Sequence, residues 1–246
     1  MSLESQIAEL VTATNALLNT FNNKNKTIDA SVQAAIAAIP VNYKKLHVDQ
    51  VKGDDSATGS VDAPLKTINK ALAMTPYGGA VDVILKADYQ MTANIEVDGR
   101  LINIYSDTAG VKRKLKSAYY LTAGGAANFL AGFPLVRGGQ FMATDITLEL
   151  PSPAGVTPAA FGVRDCFFTS NTLSGTAVLI VKLSACEVVA APDWVGQLIG
   201  ASASAIMFEA TGGVFPSNFA GRYINGVAAG TNPATLTNVL TNLSSF

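Results

Sequence analysis

Three segments, "TDITLEL" at Thr144–Leu150, "RDCFFTS" at Arg164–Ser170 and "SACEVVA" at Ser184–Ala190, align with Asp145, Asp165 and Ala185 in one column. The offset is about 20 residues, twice, and self-similarity at such a period is the sequence mark of a stacked-repeat architecture. Two positions in each segment are apolar at matching places: Ile146 and Leu148, Cys166 and Phe168, Cys186 and Val188. Side chains alternate between faces along a strand, so these six are expected to point inward together and Thr147, Phe167 and Glu187 outward. A single coil cannot bury its apolar face, whereas stacked coils share a continuous core.

The flanking sequence has the same texture. "VDVIL", "LINIYSD", "QFMATDITLEL", "AVLIVKLSACEVVA" and "SAIMFEA" are clusters of β-branched and aromatic residues separated by Gly, Pro and Asn, with no long helical pattern between them. Residues 80–222 therefore read as a solenoid of roughly six or seven coils, rising about 30 Å at ~4.8 Å per strand. Its two ends would expose unpaired backbone and core, so each needs a cover. "GDDSATGSVDAPLKTINKALAM", Gly53–Met74, supplies the first: Asp62 as cap, Pro64 in the first turn, then Leu65, Ile68, Ala71 and Leu72 on one helical face. Calcium chemistry at Asp54, Asp55 and Asp62 is the competing reading, but EF-hand spacing is missing. At the far end, "TNPATLTNVLTNLSSF" offers Thr231 or Asn232 as cap, Pro233, and Leu236, Val239, Leu240 and Leu243 on one face of a second capping or bundle helix.

In the first forty residues, Leu3, Ile7, Leu10, Thr14, Leu17 and Phe21 alternate steps of four and three, the seam of a left-handed coiled coil. One further step of four leads to Asn25, then Ile28, Val32, Ala35 and Ile39, a stutter that locally unwinds the supercoil. Asn25, or Lys24 in another register, then occupies the seam. The helix is expected to stop before Pro40. An amphipathic helix lying on its own domain is the alternative. The expected organisation is a stem over 1–40, a linker and helical cap over 41–79, the β-body over 80–222 and a C-terminal helix over 223–246.

Charged residues make up 14% of the 246 residues and hydrophobic ones 49%, with a formal net charge of -1. That balance argues against nucleic acid as a partner and for apolar surface shared between subunits. The basic run "KRKLK", Lys112–Lys116, reads as a solvated strand or loop edge. No secretory leader is evident in "MSLESQ", and no apolar run reaches the ~18 residues of a membrane span. Two cysteines do not make a disulfide framework, which suits synthesis in a reducing compartment.

The order of heptad rod, then "VDQVKGDDSATGSVDAPLKTINKALAM", then the Gly-bounded strand "GGAVDVILKADY" resembles right-handed parallel β-helix proteins of the pectate-lyase-like type. More narrowly it resembles a tail fibre or tailspike of a tailed bacteriophage, through Gly53, Asp54, Gly59, Pro64, Thr67, Ile68, Ala71, Gly78 and Gly79. The resemblance implies a mainly-β, right-handed parallel β-helix on an α-helical coiled-coil stem, assembled as a homotrimer. It implies a virion protein, assembled in the host cytoplasm, that joins the tail or baseplate by its N-terminal part and contacts bacterial surface polysaccharide with the rest. No cofactor or metal is implied.

The alternative function is a tailspike that depolymerises capsule or lipopolysaccharide. Its acids would be Asp145 and Asp165, stacked about 5 Å apart in adjacent coils, with Glu149 and Glu187 nearby, since such pairs run glycoside hydrolysis. Against this, outward acids are usually solvated, and Arg164 is placed to neutralise one. Trp194, in "APDWVGQ", is a possible sugar-stacking residue with packing as the competing role. His47 lacks a second His and reads as a linker residue, and Cys166 and Cys186 read as inward, unreactive neighbours.

Overall fold

A computed structural model describes residues 2–38, 41–170, 173 and 175–246. The chain forms two compact units, one up to Val41 and the other from Asn42 to Phe246.

The first unit is one α-helix, α1 (Leu3–Ala38), 36 residues long. It contains no Gly or Pro, and the hydroxyls of Thr12, Thr14, Thr20, Thr27 and Ser31 fold back onto carbonyls four residues earlier. Leu3, Ile7, Leu10, Leu17, Phe21, Asn25, Ile28 and Val32 are all exposed, and the helix runs through Asn25 unbroken. The expected coiled-coil stem is thus corrected to a lone helix: among the described residues no second helix lies along the seam. Ile39 and Pro40, where the seam and the helix stop were expected to end, lie outside the described residues.

The second unit is β-rich. In chain order its strands are β1 (Tyr43–Val48), β2 (Ala80–Leu85), β3 (Tyr89–Gln90), β4 (Val97–Asp98), β5 (Leu101–Ser106) and β6 (Arg113–Lys116). There follow β7 (Tyr119–Leu121), β8 (Asn128–Leu130), β9 (Phe133–Val136), β10 (Gln140–Thr144), β11 (Ile146–Leu150) and β12 (Cys166–Ser170). The last are β13 (Val178–Ser184), β14 (Glu187–Ala190), β15 (Gln197–Ala201), β16 (Ala205–Thr211) and β17 (Val239–Thr241). A large parallel sheet has the order β1-β2-β5-β10-β13-β16-β17. A second sheet runs β14-β11-β6-β3 and a third β15-β12-β9-β4, both parallel, while β7 and β8 form an antiparallel pair. Parallel neighbours need a long crossover. Here the crossovers of the large sheet run through strands of the two smaller sheets, as β3 and β4 lie between β2 and β5.

Alternation builds the core. In β13, Leu179, Val181 and Leu183 are buried, and they continue sideways into Ile102, Phe141 and Phe208 on neighbouring strands. Phe141 meets Phe133 and Phe168 of the third sheet at 4.6 Å between ring centroids in each case, which joins the sheets through aromatic contact.

The expected class, a β-helical solenoid on a coiled-coil stem, is overturned by this arrangement. The fold is α/β, dominated by one large, open, parallel sheet with two α-helices among the described residues. The sheets are not closed, and register partners in the large sheet, such as Tyr43 with Ala80, Ala80 with Leu101 and Leu101 with Gln140, step unevenly by about 20 to about 40 residues rather than by one repeat. The 20-residue alignment fails for the same reason. Thr147 pairs with Glu187 in the second sheet, while Cys166–Ser170 belongs to the third. Thr147 and Phe167, expected outward, are buried; Phe167 packs edge-on against Phe168 at 4.9 Å.

Two helix expectations are also corrected. The second helix, α2, covers only Ile68–Ala73, and its N-cap is Thr67, not Asp62. Thr67 Oγ1 accepts the Lys70 N–H at 3.1 Å and donates to Asp55 Oδ2 at 2.8 Å, while Asp55 Oδ1 accepts the amides of Lys66 and Thr67. Pro64 and Leu65 stay extended because Leu65 bridges to Val48. Gly53 is required here, since a Cβ would sit 2.2 Å from the Leu65 carbonyl oxygen. Ile68, Ala71 and Leu72 are buried as expected and lie against β1 and β2. The C-terminal helix is absent among the described residues. Asn232 caps a 3-10 turn, Pro233–Thr235, and Val239–Thr241 instead pairs with Ile206–Phe208 at the edge of the large sheet. β-branched Val239 and Thr241 favour that edge over a helix.

Candidate functional site

The four acids singled out from the sequence do not meet. Asp145 occupies a one-residue left-handed turn (φ 54) between β10 and β11, where its carboxylate accepts Lys112 Nζ at 2.9 Å and the Gly110 N–H at 2.7 Å. Those two contacts hold it below the usual carboxylate range. Asp165 ends a 3-10 turn, Gly162–Asp165, ahead of the third sheet; it is 5% exposed and accepts the Tyr119 hydroxyl at 2.7 Å. Burial pushes it up, against the pull of Tyr119 and Arg222. Glu149 pairs with Lys114 at 2.7 Å, and Glu187 accepts the Thr147 hydroxyl at 3.1 Å. The stacked pair of Asp145 and Asp165 is therefore corrected: the two stand in turns that lead into different sheets.

The basic run explains much of this. Lys112 binds Asp145, Arg113 binds Asp107, Lys114 binds Glu149 and Lys116 binds Asp88. Glu149 is brought to Lys114 because β6 lies beside β11, while Asp88, Asp107 and Asp145 stand in the connections next to β3, β5 and β11. The run is a neutralising ladder on the second sheet, not a solvated edge.

Trp194 is 1% exposed and stacks on Phe219 at 5.8 Å and 17°, so of the two roles weighed for it packing is the one observed, and the sugar contact is not. Its buried Nε1–H meets no hydrogen-bond partner. Cys166 and Cys186 are buried and unpaired, and burial raises both thiols, Cys166 to about 12. They line different sheets rather than one column. His47 lies in β1, not in a linker, with Nδ1 buried and unpartnered, and desolvation lowers its pKa. Among the described residues no three His, Cys, Asp or Glu side chains converge as a metal would need, and no helix is long and apolar enough to cross a membrane.

The arrangement best suited to a ligand lies on the outer side of the third sheet, which no candidate acid from the sequence marked. β9 and β12 pair through Thr169 with Pro134, and Thr169 pairs in turn with Gly200 of β15. Over this floor lies a hollow of about 340 Å³ lined by Asn94, Phe129, Leu130, Pro134, Val163, Arg164, Cys166 and Thr169. One wall is the β7–β8 hairpin with Phe129; the other is the 3-10 turn with Val163 and Arg164. A second hollow, about 360 Å³, shares Pro134 and Thr169 with it and adds Glu96, Val136 and Arg137. Together they form one trough, with Arg164 toward one end and Glu96 toward the other. Arg137 is held by Asp98, whose Oδ2 also accepts the Tyr77 hydroxyl at 3.0 Å. Volumes of this size fall within the range of small-ligand sites.

Among the described residues the trough combines an aromatic face, the guanidinium groups of Arg164 and Arg137, an amide, the hydroxyls of Thr169 and Ser170 and the carboxylate of Glu96. That set can stack on a ring and exchange hydrogen bonds with hydroxyl-rich ligands. The sequence carried no signal for it, because the floor and the walls come from segments far apart in the chain.

No protein-family model matches the chain, and no curated protein matches it. Solved structures that resemble it include two of GH136 lacto-N-biosidase from Eubacterium ramulus. The selenomethionine derivative shows 14% identity and a TM-score of 0.42, and the native protein 16% and 0.38. In both cases the likeness covers 72% of this chain, which spans 31% of the length of those chains. At that identity and TM-score the likeness carries no statement about this chain's activity.

Proposed function

We propose that the chain is a structural, receptor-binding protein of a bacteriophage tail that holds bacterial surface polysaccharide in the trough on the third sheet without cleaving it. The observation that carries this reading is the trough itself, where Phe129, Asn94, Thr169 and Arg164 stand on a floor of paired strands. The absence of cleavage is supported by Asp145, Glu149 and Glu187, each engaged by a partner outside the lining of the trough, and by Asp165, which is buried and accepts the Tyr119 hydroxyl. Virion attachment and self-association fall to α1, whose Leu3, Ile7, Leu10, Leu17 and Phe21 are more than half exposed. A helix gains most of its stability from packing an apolar face, and this one has none within its own unit.

The test is retention of labelled lipopolysaccharide or capsule by the intact chain, compared with Phe129→Ala, together with an assay of reducing-end release. The reading expects retention by the native chain, loss in the variant and no release. Release that disappears in Glu96→Gln would establish the depolymerase alternative instead.

A further inference from the structure

We infer that the trough is specific for an acidic sugar, with the carboxylate of the glycan seated on Arg164. This rests on the glycan-binding reading above and narrows it to a ligand class.

Three observations lead there. The first is that Arg164 is uncommitted. Arg113 and Arg137 are bound to Asp107 and Asp98, and Arg100 donates to the carbonyls of Thr75 and Asp98. Among the described residues Arg164 makes no side-chain hydrogen bond or ion pair. The adjacent acid, Asp165, is buried and taken by Tyr119, outside the lining of the hollow.

The second is that Arg164 is held in place without its N–H groups being used. Its guanidinium carbon lies 5.5 Å from the Phe129 ring centroid and 5.2 Å from that of Phe161. A guanidinium between aromatic rings keeps its edge free, and that edge is a planar fork matched to a carboxylate. The third is the polarity of its surroundings. Asn94 uses its Oδ1 to accept the Gly132 N–H at 3.0 Å, which leaves its NH₂ as a donor, and Thr169 adds a hydroxyl. Among the described residues the only acid lining either hollow, Glu96, belongs to the far one. The near hollow thus offers donors and a fixed positive charge, suited to an anion, while Glu96 suits the neutral hydroxyls of the next sugars.

The experiment measures binding of the intact chain to hyaluronan, polysialate and polygalacturonate fragments, to their carboxyl-reduced forms, and to dextran sulfate. At least one carboxylated fragment should bind tenfold or more above its reduced form. Arg164→Ala and Arg164→Gln should lose that tenfold and bind both forms alike, with unfolding temperatures little changed because no hydrogen bond or ion pair is removed. Arg113→Ala, on the second sheet, should retain the discrimination. Equal binding of carboxylated and reduced forms, a full preference surviving in both Arg164 variants, or no binding to any carboxylated fragment overturns the acidic-sugar assignment. Tighter binding of dextran sulfate that also depends on Arg164 overturns it in favour of a sulfated ligand. Retention of surface polysaccharide by the native chain is measured in parallel; its failure sinks the glycan reading itself, so the two outcomes are separable.

Discussion

Thr147 on β11 faces Glu187 on β14 and donates its hydroxyl to Glu187 Oε2 at 3.1 Å, across a sequence separation of 40 residues. The pair lies half-shielded between two parallel strands. A neutral-to-charged hydrogen bond of this kind is worth about 1.5–3 kcal/mol when its partner is left in place. Thr147→Val should therefore destabilise the body by about 1–2 kcal/mol in urea unfolding, and Glu187→Gln by less, because an amide oxygen still accepts. Equal and negligible costs would show the pair to be unformed in solution.

The turns that connect the large sheet to the second one carry backbone strain at Ala185. Its φ of 51 lies in the left-handed region, in the place where Asp145 (φ 54) and Gly212 (φ 62) stand in neighbouring turns. A β-carbon is disfavoured there, while Gly pays with chain freedom in the unfolded state. Ala185→Gly should gain up to about 1 kcal/mol, and Ala185→Val should lose about 1–3 kcal/mol. Denaturant midpoints of the two variants check the order.

Asp165 gives a pH signature. Burial raises its pKa in the folded chain, so the folded state holds the proton more tightly than the unfolded one. Its contribution to stability is greatest below the ordinary carboxylate pKa and is lost as pH rises through the folded value. Asp165→Asn keeps an acceptor for Tyr119 and cannot ionise. Relative to the native chain, the variant should gain stability as pH is raised from about 3 to about 7, by about 1.4 kcal/mol for each unit of the shift. A difference that is flat with pH would mean that Asp165 is not buried.

Both thiols should react slowly in the folded chain. Cys166 is 1% and Cys186 2% exposed, and burial raises the pKa of each. The thiolate is the nucleophile, so labelling by a disulfide reagent near pH 8 should be slow and become fast in guanidinium. Rapid labelling of Cys166 in the native state would place it in solvent and remove it from the trough floor.

The exposed edge of α1 predicts self-association. Sedimentation of the intact chain should give a multiple of 25.5 kDa, and Leu10→Glu with Leu17→Glu should lower it without altering the unfolding of the β-rich unit. A monodisperse native chain of monomer mass would leave α1 without a packing role.

The strands themselves were legible from the sequence, since alternation is a local property. Leu179, Val181 and Leu183 are spaced to share one face whichever strands lie beside them, and the helical spacing of Ile68, Ala71 and Leu72 marks α2 equally well. What local pattern cannot specify is which strand is the neighbour, because pairing joins residues tens of positions apart and a two-residue period fits any of them. So "TDITLEL" and "RDCFFTS" looked like successive repeats, although one pairs in the second sheet and the other in the third. The same gap hid the site. Asn94, Phe129, Arg164 and Thr169 carry no common motif, and only the stacking of β9 and β12 under the β7–β8 hairpin brings them to one hollow. Charge was misread in the same way: Asp145 and Glu149 looked free until β6 came alongside β11 and supplied Lys112 and Lys114. Local spacing determined the elements, and long-range strand pairing decided which side chains meet.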